Sequence, residues 1–476
     1  MAPRQLQSVT LPYSVGVEDG VGRLFAERAA PTCEATVIIP ACDEAERIGA
    51  TLAALAGQVD IDGRPFDRRR FEILVLANNC GDATAGIARR FGYEHPTLAL
   101  RVAEVLLHGP AANVGTARRL LMDEACRRLL ANGRPDGVIV SLDADTRPAP
   151  DWLAATLREI GRGVEAVGGR IVTDPGERAA LSPGARLRHL RDVAYRSLLA
   201  ELEALLDPVA HDPWPRHYQH FGASFAVTAE VYRRSGGLPP VAALEDVGFY
   251  LALRHSGARV RHSPAVRTTT SARPAARSPI GFAQQFSAWA VSHDAGVPQL
   301  VESAARIEAR LRARRRARLL WQALRAGQRA LPQVVIAIAD GLGVPVAWLL
   351  AHLDPALPFG AFDAQLERRQ LQHEASGRWS QEITAAIRDL RRLRERLRRA
   401  EGYPLAALEE IKPVGFGALP AEVTQEIAGT IDEFLMHNVA GEGIVWGGFG
   451  PVDQQQMPAG LQAVDDLLAS QGQVAF

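Results

Sequence analysis

Two aspartates one residue apart, Asp143 and Asp145, follow the apolar run VIVSL at residues 138–142. Such a run predicts a buried strand, which places both carboxylates at its carboxyl end. Carboxylates in that position can hold a hard divalent cation against the phosphate groups of a ligand. The alternative is a strand that simply ends in a polar loop, because a D-x-D triplet also occurs by chance in a chain of this length with 54 acidic residues.

The elements around these aspartates alternate between strands and helices. Apolar or β-branched runs predict strands, and apolar residues at helical spacing predict the helices between them. The strand candidates are residues 35–40, 71–77, 97–106 and 137–145, and the helix candidates are residues 43–55, 82–91, 113–133 and 151–161. This order predicts βαβ units and a mainly parallel α/β sheet, which binds ligands at the carboxyl ends of its strands.

The composition excludes some classes of protein. The chain has 476 residues, 47% of them hydrophobic, so it can bury a substantial core and form two or more domains. Its formal net charge is zero, and we therefore expect no nucleic-acid partner. The four cysteines form neither a C-x-x-C pair nor a zinc pattern, and the first residues lack the features of a signal peptide. We expect a cytoplasmic protein with unbridged thiols.

The character of the chain changes near residue 300. Two Arg-rich amphipathic helices follow, and the second carries an apolar stripe at Ile383, Ile387, Leu390, Leu393 and Leu397. We expect a mainly helical accessory region that packs on the preceding domain. Peripheral contact with anionic lipid, or pairing with another subunit, are the alternatives for these helices. The apolar window at residues 334–353 contains Asp340 and Pro345, which favours a buried helical hairpin or interfacial segment over a membrane span.

Six segments, in this order and with similar gaps, resemble a family 2 glycosyltransferase of the GT-A fold. They are VIIPACDEAERI, LVLANNCGDATAGIA, NVGTARRLLMD, VSLDADTRPAPDWL, GASFAVTAEVYRRSGGLPP and LEDVGFYLAL, between residues 37 and 253. The resemblance covers about residues 35–275. It implies transfer of a sugar from a nucleotide-sugar donor to an acceptor hydroxyl, with Mn²⁺ or Mg²⁺ as cofactor. We therefore divide the chain into an N-terminal extension (1–34), a GT-A domain (35–300) and the helical region (301–476).

The resemblance also assigns a donor site, although each residue has a structural alternative. The implied donor-binding residues are Pro40, Glu44, Asn78, Asn113, Arg118, Asp143 and Ala144. Glu44 also suits the acidic first turn of a helix, and Asn113 precedes a helix whose N-terminal N–H groups can bind an anion. Asn78 stands where the family commonly has an acidic residue that contacts a pyrimidine. This departure puts uracil as the base in doubt, although an amide can both donate and accept.

The metal and acceptor sites follow from the same resemblance. Asp145 is the implied direct metal ligand, with Asp143 near the ribose or reaching the metal through water. His262 is a further candidate ligand, although a single histidine in an extended segment is more often structural. The small residues Gly222, Ala223 and Ser224 match a segment beneath the family's acceptor site, with a turn leading into a strand as the alternative.

The pair Glu245–Asp246 matches the family's catalytic acidic pair. Asp246 would accept the proton of the acceptor hydroxyl while its oxygen attacks the anomeric carbon, and attack opposite the leaving group inverts the configuration. Glu245 would orient the acceptor. The alternative role is capping of the helix predicted to begin near residue 245, and one carboxylate can serve both roles.

Two other functions are compatible with parts of the pattern. A non-catalytic nucleotide-sugar-binding or scaffold protein would explain the altered ANN segment at residues 77–79, but the retained D-x-D and E-D pairs argue against it. A sugar-phosphate nucleotidyltransferase should carry a Gly-rich loop with a basic residue after the first strand. The segment IPACDEAERI at residues 39–48 has no such loop.

Overall fold

The computed structural model describes residues 24–241, 243–273, 282–374 and 379–401, together with the backbone of residues 443 and 444. The strands are β1 (Ala35–Ala41), β2 (Phe71–Asn78), β3 (Leu100–Val105), β4 (Val138–Ser141), β5 (Thr146–Pro148), β6 (Ala166–Thr173), β7 (Phe225–Thr228), β8 (Val260–Thr270), β9 (Leu300–Glu302), β10 (Ser380–Glu382) and β11 (Gly443–Ile444). The α-helices are α1 (Ile48–Ala56), α2 (Thr84–Glu94), α3 (Val114–Ala131), α4 (Trp152–Gly161), α5 (Pro175–Ala179), α6 (Pro183–Leu206), α7 (Ala229–Arg234), α8 (Glu245–His255), α9 (Phe282–Asp294), α10 (Ala304–Arg325), α11 (Pro332–Leu342), α12 (Val346–His352), α13 (Phe359–Glu374) and α14 (Ile383–Glu401).

The main sheet has the strand order β3-β2-β1-β4-β7-β6-β8-β5, and β11 lies beside β6. Neighbours among β1, β2, β3 and β4 pair in parallel, as do β6 and β8. Strand β7 runs antiparallel between β4 and β6, and β5 runs antiparallel to β8. Helices cover the sheet, so the predicted α/β fold class with a mainly parallel sheet is confirmed.

Both faces of the sheet are buried, which explains the continuous apolar runs of its central strands. Successive side chains point to opposite faces, so Val37 and Ile39 pack with α1, α2 and α4, whereas Ile38 packs with α3, α7 and α8. All three side chains are fully buried. This double covering holds β1 and β4 at the centre of the sheet, where parallel strands end at a common edge.

Backbone strain is concentrated near that edge. Among the described residues, the non-glycine residues with positive φ are Asp43 after β1, Asn79 after β2 and Leu244 before α8, with φ values of 53°, 52° and 59°. An L-residue in the left-handed region costs about 1–2 kcal/mol. Strain of this kind persists where the surroundings over-determine the backbone, which is common at functional sites.

The helices beyond residue 300 share a core with α6. The apolar stripe predicted for α14 is buried against α6 and α10, together with Ile307 and Leu311 of α10. Packing of these helices on the preceding domain agrees with the expected accessory region. The proposed boundary at residue 300 stays a prediction, and removal of the later helices would expose the apolar side of α6.

The apolar window at residues 334–353 forms parts of α11 and α12, which meet at an angle of 98°. Ile338, Ala339 and Leu349 are buried, whereas Ile336 and Leu350 are exposed. In the described part of the chain no single helix is long and apolar enough to cross a membrane, although this bent pair passes that test by length and composition.

We expect Ile387→Ala to lower the free energy of unfolding by about 2–4 kcal/mol, because it leaves a cavity in the core shared by α6, α10 and α14. Ile387 is fully buried. Chemical denaturation followed by circular dichroism measures the change. Arg392→Ala is the control, because the Arg392 side chain is 74% exposed on the same helix. Equal stability of the two variants would show that this core contributes nothing to folding.

Candidate active site

The loop after β4 holds the D-x-D aspartates in a tight turn. The Asp143 carbonyl oxygen accepts a hydrogen bond from the Thr146 backbone N–H, with an N–O distance of 3.1 Å. The Thr51 hydroxyl of α1 donates to the carbonyl oxygen of Ala144 at 2.8 Å. Ala144 is buried, so the two carboxylates are presented by a backbone fixed to α1. This contact gives Ala144 a structural role beside its predicted place in the donor site.

Asp145 lies among other carboxylates. Its Oδ1 accepts from the Thr270 hydroxyl at 3.3 Å, and its Oδ2 lies 3.4 Å from Nη2 of Arg273. Burial first, and then the negative charges of Asp143 and Glu44, raise the pKa of Asp145 to about 6, although Arg273 and the Thr270 hydrogen bond oppose the shift. The contributions of Asp143 and Glu44 to this shift mean that both carboxylates lie close enough to repel the charge of Asp145.

This donor set fits a divalent cation. Carboxylate and hydroxyl oxygens are the ligands that Mg²⁺ and Mn²⁺ prefer. Asp145 and Asp143 converge on one region and repel each other, so a cation would stabilise them where a neutral ligand would not. The residues predicted for the metal therefore fit it, apart from His262.

His262 lies elsewhere, and that part of the prediction is corrected. Its Nδ1 is 2.7 Å from Asp212 Oδ2, and its ring is buried beside His217. On β6, the partner of His262 lies five residues from the partner of Thr270, which is about 16 Å along a strand. Thr270 is the β8 residue that contacts Asp145, so His262 sits too far along the strand to share its ion.

Arg118 joins the two acidic pairs. Its Nη2 donates to Asp143 Oδ1 at 2.6 Å, and its Nη1 donates to Glu245 Oε1. The arginine is only 4% exposed. The resemblance placed Arg118 near the donor and Glu245 near the acceptor, whereas the structure brings the two side chains into direct contact. Glu245 therefore acts on Arg118 rather than on a ligand in this arrangement.

Two glycines make this contact sterically allowed. A Cβ on Gly222 would lie 2.4 Å from the guanidinium carbon of Arg118, and a Cβ on Gly115 would lie 2.6 Å from the Val241 carbonyl oxygen. Both distances are shorter than side chains tolerate. The sequence suggested close backbone approach at Gly222, and the structure identifies the approaching group as a side chain of α3.

Asp246 is oriented by backbone N–H groups. Gly222 donates to its Oδ2 at 3.0 Å and Val247 donates to its Oδ1 at 2.8 Å. The Ser141 hydroxyl of β4 donates to the Gly222 carbonyl oxygen at 2.7 Å, which connects this carboxylate to the strand that carries the D-x-D loop. Burial raises the pKa of Asp246 above its ordinary value, although Arg118 and the two N–H groups oppose the shift. The carboxylate is thereby a stronger base.

The other two small residues of the predicted acceptor segment face the core. Ser224 is 1% exposed, and its hydroxyl accepts from Nε1 of Trp152 at 3.0 Å. Ala223 is also buried, in a cluster with Ile171 and Phe221. The side chains of Ala223 and Ser224 are therefore used in packing, and contact of these residues with an acceptor stays a prediction. The Gly222 backbone N–H reaches the site through its hydrogen bond to Asp246.

The remaining donor-site candidates line the loops at the same edge. Pro40 and Asn78 lie in the last residues of β1 and β2, and Glu44 makes a two-pronged ion pair with Arg273. Asn113 caps α3: its Oδ1 accepts from the Thr116 N–H at 2.9 Å. Contact of these side chains with a nucleotide stays a prediction.

Sequence reasoning placed neither Thr270 nor Arg273 beside Asp145. Thr270 ends the β-branched run of β8 and Arg273 lies three residues later, and that run gives no sign of its proximity to residue 145. Pairing of Thr270 with Thr146 across β8 and β5 creates the proximity. Short strand β5 was not predicted, because three residues after a turn carry no recognisable period.

We expect Asp145→Asn to stabilise the protein in EDTA at pH 8 by on the order of 2 kcal/mol. The folded-state pKa of about 6 lies above the ordinary value, so the ionised carboxylate costs stability above pH 6. The gain should shrink as the pH falls from about 6 toward 4, because the carboxyl of the folded wild type becomes protonated over that range and its charge no longer costs stability. Thermal unfolding across pH measures it, with Asp62→Asn on an exposed loop as control. If Asp145→Asn is less stable than the wild type at pH 8, the ionised Asp145 carboxylate does not destabilise the folded protein and the prediction is wrong.

Part of this chain matches a known protein family. Residues 36–204 match the family model described as glycosyl transferase family 2. A curated relative, glycosyltransferase AglE of Haloferax volcanii, is 30% identical over 137 residues, which are 29% of this chain and 38% of the relative. The chain thus spans well under two thirds of that relative's length.

Two solved structures are similar over a larger share of the chain. A mannosyltransferase from Pyrobaculum calidifontis, PcManGT, in complex with GDP-Man and Mn²⁺, is 19% identical and covers 87% of this chain and 89% of its own, with a TM-score of 0.35. TarS 1–349 of S. aureus in complex with UDP is 15% identical and covers 72% and 92%, with a TM-score of 0.37. TM-scores this low carry no argument about the site. The strand order of the sheet agrees with the family match, and residues 36–204 of this chain are similar to glycosyl transferase family 2.

Proposed function

We propose that this protein transfers a sugar from a nucleotide-sugar donor to an acceptor hydroxyl, with inversion at the anomeric carbon and with a divalent metal. The observation that carries the proposal is the contact of Arg118 with both Asp143 and Glu245. It brings the D-x-D loop and the E-D pair, which are about one hundred residues apart in the chain, into one continuous site.

Asp145 and Asp143 would hold the metal, Mn²⁺ or Mg²⁺, which would supply positive charge to a diphosphate leaving group. The pKa of Asp145 is about 6 without an ion, and a bound cation would favour the ionised form of this carboxylate. Arg118 holds Asp143 in place through an ion pair with an N–O distance of 2.6 Å.

Asp246 is proposed as the general base. The Gly222 and Val247 N–H groups orient its carboxylate, and lone pairs on the same oxygens stay available to an acceptor hydroxyl. Burial raises its pKa, which increases its affinity for the proton that it must accept. Glu245 then serves as a positioning residue. It binds Arg118, and Arg118 in turn binds Asp143 of the D-x-D loop.

A non-catalytic nucleotide-sugar-binding protein is the second candidate. The observation in its favour is Asn78 in place of an acidic residue at the end of β2. A non-catalytic protein would bind the donor without transferring or hydrolysing it, so an assay of transfer and hydrolysis separates the two candidates. The cytoplasmic location, and contact of the C-terminal helices with a membrane or a second subunit, stay predictions.

We expect at least one nucleotide sugar to raise the melting temperature in the presence of Mn²⁺, because a ligand that binds only the folded state stabilises it. A thermal-shift panel of uridine, guanosine and cytidine diphosphate sugars, with and without Mn²⁺, measures the selectivity. If none of the donors shifts the melting temperature, both candidate functions lose their support.

Asp246→Asn should lose only the rate of transfer, whereas Asp145→Asn should lose both donor binding and rate. Asp246→Asn keeps the shape of the side chain but cannot accept a proton, so transfer should fall by about 10²–10⁴ while Mn²⁺ and donor affinity change little. Asp145→Asn should lose Mn²⁺-dependent donor binding together with rate, because it removes a charged ligand. Calorimetry and a transfer assay measure the two effects.

The pH dependence gives a further check on the base. In the wild type kcat should rise with pH through the raised pKa of Asp246, and this limb should disappear in Asp246→Asn. Near-native transfer by Asp246→Asn would assign the proton to another group. Loss of Mn²⁺ binding in that variant would move Asp246 into the cation site and remove the main support for inversion.

A further inference from the structure

Arg273 supplies positive charge to the carboxylates of the D-x-D edge. Its guanidinium makes a two-pronged ion pair with Glu44, with Nη1 2.9 Å from Oε2, and Nη2 also lies 3.4 Å from Asp145 Oδ2. The side chains of Arg273, Glu44 and Asp145 are 17%, 9% and 18% exposed, so solvent screens these contacts only weakly. A guanidinium suits this place because its planar fork can meet two carboxylates at once.

The backbone that carries Arg273 is fixed by a separate carboxylate. Glu177 of α5 accepts from the Ser271 hydroxyl at 2.6 Å and from the Ala272 N–H at 2.7 Å. Arg47 donates to the other oxygen of Glu177 at 3.1 Å. Arg273 therefore does not reach Asp145 through chance placement of an exposed side chain, because the two residues before it are anchored.

We propose that Arg273 is a built-in counter-cation of Asp145, which a divalent ion must displace in order to bind. The inference rests on the proposed function, since it concerns the ion that Asp145 would hold. Oδ1 of Asp145 already accepts from Thr270, and Oδ2 faces Arg273, so the ion and the guanidinium require the same carboxylate. Two cations within about 4–6 Å repel each other, and each weakens the binding of the other.

Such a residue has two consequences for the protein. In the absence of divalent ions it lowers the repulsion among Glu44, Asp143 and Asp145, and so stabilises the folded chain. When divalent ions are present, Arg273 weakens their binding. The site then binds a metal only when the free energy gained from the metal exceeds that of the lost Arg273–Asp145 ion pair. Glu44 keeps the guanidinium near the site after it leaves Asp145, because that two-pronged contact does not involve the D-x-D loop.

The test measures Mn²⁺ affinity of the full chain by titration calorimetry at pH 7.5, without any nucleotide. The neutral variants Arg273→Gln and Arg273→Met should bind Mn²⁺ on the order of tenfold more tightly than the wild type. Arg273→Lys keeps the positive charge and should stay close to the wild type. Arg147→Gln is the matched control, because Arg147 pairs with Asp174 and touches neither Glu44 nor Asp145.

Thermal unfolding provides a readout that is independent of binding heat. In EDTA the neutral variants should melt below the wild type, because the carboxylates lose their counter-cation. Addition of Mn²⁺ should raise their melting temperature by more than it raises that of the wild type. Variants that stay unfolded even in Mn²⁺ would contradict the proposal, since the ion should replace the missing charge.

The outcomes separate this inference from the proposed function. Mn²⁺ binding by the wild type with equal or weaker binding by the neutral variants would overturn the role of Arg273 alone. An absence of Mn²⁺ binding in the wild type and in every variant would overturn the metal-dependent function together with this inference. Tighter binding by both Arg273→Lys and the neutral variants would show that shape, not charge, opposes the ion.

Discussion

A single buried guanidinium connects the acidic elements of this site, and the arrangement of three secondary-structure elements depends on it. Arg118 extends from the first turns of α3 to the loop after β4 and to the start of α8. A buried charge is costly unless it is paired and hydrogen-bonded, so neither carboxylate can move away without leaving Arg118 unpaired. Gly115 and Gly222 leave the space in which the three elements approach.

The same edge carries an excess of negative charge that the protein balances with arginines. Glu44, Asp143 and Asp145 converge at the ends of parallel strands, and Arg118 and Arg273 each pair with two carboxylates of the site. Left-handed backbone at Asp43, Asn79 and Leu244 adds local strain in the same loops. Stability is therefore reduced where the proposed chemistry takes place, a common trade-off in enzymes.

Helix α6 connects this domain to the rest of the chain. The family match ends at residue 204, within α6, and the apolar side of that helix is covered by α10 and α14. The helical region thus supplies core contacts to an element that begins within the glycosyltransferase domain. The apolar stripe of α14 therefore has a structural role, because it covers the apolar side of α6.

The sequence by itself determined the class of fold from local periodicity, and it identified the acidic pairs of the site through the order of motifs that resembles the family. Apolar runs alternating with helical spacing predict parallel strands, and parallel strands end at a common edge, which places Asp143 and Asp145 there. Tertiary structure decided which side chains meet across that edge. The contacts of Arg118 with Glu245, of Asp145 with Arg273, and of His262 with Asp212 join residues between 50 and 128 positions apart. Spacing along the chain carries no information about such pairs, because they arise from strand order and from the register of β8 against β5 and β6.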